Sequence, residues 1–87
     1  MMPVYYTVDN VVEEVTPNPD FTLDLVFSSG ERRRYNCEIL WTHYCSFHRL
    51  QDPDYFATAR VFCGAVWWGD YDMCIAPSNL LEDSVPL

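Results

Sequence analysis

The chain is 87 residues long, with 49% hydrophobic and 16% aromatic residues and a formal charge of −8. That length allows a single domain, residues 1–87, and the aromatic content argues against disorder. Thirteen acids face five basic residues, all Arg, so the field of the chain repels phosphate backbones and excludes direct nucleic-acid binding.

No apolar run reaches the ~20 residues of a membrane span. The start MMPVYYTVDN lacks the basic region and apolar core of a signal peptide. A cytoplasmic, reducing location is therefore expected. There the thiols of Cys37, Cys45, Cys63 and Cys74 serve as small core residues.

Residues 4–15 are rich in β-branched and aromatic side chains and read as a strand, with a break at Asp9-Asn10. Thr16-Pro17-Asn18-Pro19-Asp20 is a turn cluster, because its prolines suit neither a helix interior nor a central strand. Residues 21–27 then alternate. Phe21, Leu23, Leu25 and Phe27 share one face, and Thr22, Asp24 and Val26 the other. Ser28-Ser29-Gly30 turns the chain into residues 31–36, the second arm of a hairpin, across which Arg33 is expected to meet Asp24. Arg32 and Arg34 share the face opposite Arg33, in a basic run of the kind that deters strand addition.

Residues 37–44 place Ile39, Leu40 and Trp41 in a row, which fits a short helix or buried turn. Asp52 suits an N-cap, Pro53 the first helical position and Asp54 the dipole-facing first turn, predicting one or two helical turns over residues 53–58. Residues 59–62 and 65–68 read as strands around a tight Cys63-Gly64 turn, with residues 69–73 extending or bending the second strand. Residues 77–82 form a terminal helical turn, and residues 83–87 a frayed tail. The order predicts an α+β domain: a small, mostly antiparallel sheet of two hairpins and an N-terminal strand, with short helices on one side.

These elements resemble a small bacterial domain-of-unknown-function family, number 2442. The resemblance lies in the hairpin over residues 23–35 with Phe27, Gly30 and Glu31, and in the segment F-x-x-L-x-D-P-x-x-F at Phe47, Leu50, Asp52, Pro53 and Phe56. Ala59-Arg60-Val61, the element from Trp67 to Asp72, and the turn from Pro77 to Leu81 continue it. The family implies a compact α+β fold and no known enzyme activity. Its members resemble accessory proteins, often beside a toxin–antitoxin-like partner gene or joined to a helix-turn-helix domain. Two places depart from the family pattern: Trp68-Gly69-Asp70 replaces its usual Pro-Asn/Asp-Gly turn, and residues 39–44 are unusually aromatic.

Chemical constellations are weak. Cys45 and His48, with His43 and Cys37 near in sequence, lack the two close ligand pairs of a structural zinc site. Cys45 with His48 or His43 and an orienting Asp52 supplies the residue types of a thiol triad, but acidic surroundings raise a thiol's pKa. Asp70 and Asp72 could share a strand face, yet an edge turn gives no walled cleft, and solvated acids are the plainer reading. No cofactor, metal or enzyme activity is expected.

Trp67-Trp68 is more informative. Neighbours in a strand face opposite ways, so one Trp fills the core and the other meets solvent, a helix or a partner. Trp and Tyr dominate binding hot spots. The expected partner-binding set is therefore Trp67, Trp68, Asp70, Tyr71 and Asp72, with Asp52 and Asp54 adding negative charge. Such a face suits a protein partner with a basic surface, through cation–π contact and charge steering. The expected function is a non-enzymatic inhibitor of a basic nucleic-acid-binding partner, one form being a phage-encoded, anti-CRISPR-like charge mimic. The alternatives are an antitoxin-like protein and a small Cys/His metal- or thiol-dependent enzyme. A homodimer is left open.

Overall fold

In the computed structural model residues 10–87 are described, except for the side chain of Cys45. The part of the expected first strand before Asn10 lies outside the described residues. The element order is β1 (Val12–Pro17), β2 (Thr22–Phe27), β3 (Arg32–Asn36), α1 (Glu38–His43), a 3-10 helix (Cys45–Gln51), α2 (Pro53–Phe56), β4 (Arg60–Phe62), β5 (Ala65–Trp68), β6 (Met73–Ile75), α3 (Pro77–Asp83) and β7 (Val85–Pro86). This is the expected α+β class.

The strands divide between two antiparallel sheets rather than one, ordered β1-β2-β3-β7 and β4-β5-β6. The sheets meet where the Val12 N–H donates to the Gly64 carbonyl at 2.9 Å. Alternation fixes what each sheet buries: Leu23, Leu25 and Phe27 of β2 and Val66 and Trp68 of β5 are all 0% exposed. Leu40, Leu50, Phe56 and Leu80 bring the short helices onto the same core. Such short helices are held by that burial, since so few turns have little stability of their own. No helix among the described residues is long and apolar enough to cross a membrane.

Four local expectations are corrected. Phe21 does not continue the β2 face: it takes a φ of 66° and packs edge-on to Trp41 and Phe56 instead. Thr16 and Pro17 belong to the end of β1, where an edge strand tolerates a proline's missing N–H. Asp24 pairs with Arg34, not Arg33: the register sets Asp24 opposite Arg34, and the guanidinium reaches the carboxylate at 2.7 Å. That contact, chiefly, holds the Asp24 carboxyl below its usual range.

The tail is also ordered. Arg33 lies opposite Leu25, on the core side of the sheet, and its side chain is only 15% exposed. A guanidinium placed there needs acceptors. Ser84 supplies them, its hydroxyl and carbonyl oxygens each accepting from Arg33 at 2.6 Å, while Glu31 pairs from the other side. Val85 and Pro86 then pair with Arg34 and Arg33, so β3 is an interior strand.

Candidate partner-binding site

The site grows from the β4–β5 hairpin. Cys63 and Gly64 both have positive φ, 53° and 79°, the geometry of a two-residue turn that matches strand twist. This turn sets Phe62 opposite Ala65, Val61 opposite Val66 and Arg60 opposite Trp67. On the other side of β5, Trp67 faces Cys74 and Trp68 faces Met73. Val61, Val66, Trp68, Met73 and Ile75 therefore look inward, and Arg60, Phe62, Ala65, Trp67 and Cys74 outward.

This decides between the tryptophans. Trp68 is 0% exposed, against Phe56, and its indole N–H has no hydrogen-bond partner among the described residues. It is a core residue and is removed from the contact set. Trp67 is half-buried on the outer face, with its Nε1–H donating to the Phe62 carbonyl at 3.1 Å.

Tyr71 joins Trp67 because the β5–β6 turn bends back. Gly69 and Tyr71 have φ of 65° and 61°, and left-handed steps of this kind reverse the chain over a few residues. Tyr71 thereby lies 5.6 Å from Trp67 and 5.1 Å from Phe62, centroid to centroid, both edge-on. Phe62 and Trp67 complete the triangle at 6.3 Å. Arg60 covers Tyr71 at 4.7 Å and donates to the Gly69 carbonyl. Phe62 and Tyr71 remain 49% and 47% exposed. The rings hold one another, so they reach solvent with little rotamer freedom to lose.

The expected acids do not ring this patch as a set. Asp70 is exposed in the turn beside Tyr71. Asp72 turns to Arg49 at 3.8 Å and accepts from the Asp70 N–H at 3.4 Å. Arg49 also stacks over Tyr55 at 4.1 Å. Asp72 is thus tied to the α2 side. Asp52 caps α2, accepting from the Asp54 N–H at 3.0 Å, and both acids are exposed there. Phe62 and Arg60 were missed from the sequence. The signal was present: a two-residue Cys63-Gly64 turn puts both on the Trp67 face.

For the chemical alternatives, no group of three or more His, Cys, Asp or Glu among the described residues could hold a metal ion. Burial of Cys37 pushes its thiol up, away from nucleophilic reactivity. Cys63, in the β4–β5 turn, and Cys74, on the outer side of β6, are exposed free thiols rather than the core residues expected, and His48 Nδ1 lies 3.2 Å from the Gln51 amide. The side chain of Cys45 lies outside the described residues.

A family model described as "Protein of unknown function (DUF2442)" matches residues 12–86. The chain belongs to this family. The DUF2442 match runs from the first residue of β1 into β7, so both sheets and the aromatic patch are within it. Comparison with curated proteins and with solved structures returns no match.

Proposed function

We propose that this DUF2442 protein is a non-enzymatic binding protein of the cytoplasm that inhibits a basic, nucleic-acid-binding protein partner. The observation that carries this reading is the Phe62–Trp67–Tyr71 patch: interlocked rings on the solvent side of a sheet, in a chain of charge −8. Rigid aromatic anchors concentrate binding energy, and a long-range negative field steers basic partners to them. Arg60 lies over the Tyr71 ring, so a partner's cation would stack on the rings of Phe62 or Trp67 instead. Asp70 adds local charge, and Asp52 and Asp54 contribute to the wider field. An anti-CRISPR-like charge mimic of phage origin is the specific form proposed.

The test is capture of partners from host lysate with the unmodified chain and with Phe62→Ser/Tyr71→Ser. A basic nucleic-acid-binding complex should bind the first and not the second, and should release its nucleic acid as the protein is added. A single toxin captured through the same patch would replace this reading with neutralisation. Capture indifferent to the patch, or a self-association seen by sedimentation that the variant abolishes, would overturn it.

A further inference from the structure

A second surface lies between α1, the 3-10 helix and the β6–α3 segment. It is a cleft of about 510 Å³, within the ordinary range for ligand pockets. Tyr44 and Phe47 stand in its wall, edge-on at 6.3 Å, and Glu82 and Asp83 line it from α3. Neither acid has an ion-pair partner among the described residues, and the lining holds no Arg, His43 being its one basic side chain.

Tyr35 supplies an independent observation. It is 1% exposed and lines the cleft, and no described residue bonds its hydroxyl, whose oxygen is not among the fully enclosed unpaired polar atoms and so is reached from the cleft. Burial first, and then Cys37, Asp83 and Tyr44, push its acidity down. Asp83 and Tyr44 both belong to the cleft wall, so the hydroxyl faces the cleft.

These groups ask for one kind of occupant. Two unpaired carboxylates exclude an anion and leave a neutral apolar group with nothing to offset their charge. A guanidinium presents five donors in a plane, enough for the Tyr35 oxygen and a carboxylate together, while its face stacks on an aromatic ring. An ammonium would match the charge but not the fork or the stacking. We propose that this cleft is a recognition pocket for an arginine side chain of the partner. The inference rests on the basic-partner reading and names a subsite for it. Cys74 lines the cleft and also faces Trp67, so the pocket and the aromatic patch are neighbours that one partner can cover.

The test is titration of the 15N-labelled chain with N-acetylarginine amide, N-acetyllysine amide and N-acetylnorleucine amide, followed by amide chemical shifts. The arginine derivative should give saturable shifts over residues 40–47 and 75–83, and the other two much smaller ones. Tyr35→Phe removes a hydroxyl that bonds nothing within the fold, so the fold should persist while the affinity falls about 5–10-fold, as for one hydrogen bond to a charged group. Glu82→Gln/Asp83→Asn, on the surface, should weaken binding about 10-fold or more at low salt. Equal shifts with norleucine, or an affinity untouched by both variants, would overturn the pocket. Hexa-arginine separates the two readings. Shifts confined to residues 60–71 would refute the pocket and leave the basic-partner reading standing. No shifts anywhere would refute both.

Discussion

Replacing each of the adjacent tryptophans by alanine should cost very different amounts of stability. Trp68 is 0% exposed and packs against Phe56 at 6.3 Å, so Trp68→Ala opens a large cavity at the join of β5 and α2. Such truncations cost about 3–5 kcal/mol. A chain of 87 residues has roughly 4–13 kcal/mol in total at ordinary per-residue stability, so the loss is about a quarter of it or more. Trp67 is half-buried, and its removal forfeits edge-on contacts with Phe62 and Tyr71 worth about 1–2 kcal/mol. With a urea slope of about 1–1.5 kcal/mol/M for so small a domain, the midpoint should fall by about 2–5 M for Trp68→Ala and by about 0.7–2 M for Trp67→Ala. Trp68→Phe should cost less than the alanine change, because it keeps a ring in the site and so leaves a smaller cavity, while the lost indole N–H bonds nothing among the described residues. Far-UV circular dichroism is the suitable readout, since tryptophan fluorescence changes with the substitution itself. Equal midpoints for the two alanine variants would refute the assignment of inward and outward faces, as would a larger loss at Trp67.

Gly64→Ala should be costly: φ is +79° and an added Cβ would sit 2.6 Å from the Val11 Cβ, so strain and overpacking together cost about 2–4 kcal/mol. Gly30→Ala, with positive φ but open space around it, should cost only the strain, and equal melting temperatures for the two variants would contradict this. Ending the chain after Asp83 removes both Ser84 acceptors of Arg33 and β7, a loss of about 1–3 kcal/mol visible as a drop of roughly 5–20 °C in melting temperature. Adding Arg33→Leu to the shortened chain should restore part of that drop if the unsatisfied guanidinium is its cause. Burial raises the pKa of Cys37 above its ordinary 9.0, so the folded chain holds this proton more tightly than the unfolded one. Its contribution is complete below pH 9.0 and declines as pH rises beyond it, by about 1.4 kcal/mol per pH unit. Urea midpoints of the reduced protein should show that decline between pH 9 and 10, and Cys37→Ala should flatten it.

Local rules made much of the chain legible before folding. The period-two pattern of β2 named Leu23, Leu25 and Phe27 as buried, and all three are 0% exposed, because successive strand residues must face opposite ways. Asp52-Pro53-Asp54 fixed the start of α2, because an N-cap acceptor followed by proline satisfies a helix terminus within three residues. Trp67-Trp68 announced that one indole would be buried and one turned out.

Which indole, and in what company, was decided only by tertiary structure. The positive-φ steps at Cys63-Gly64 and at Gly69 and Tyr71 set the register and the bend that bring Phe62, Trp67 and Tyr71 together. The same fold ties Asp72 to Arg49, away from the patch, through a residue more than twenty positions earlier in the chain. It also orders the tail, because Arg33 points to the core side and Ser84 is the acceptor within reach. Sequence determined each segment's faces through contacts between near neighbours. Folding decided which faces meet, since that depends on groups that are remote in the chain and close only in space.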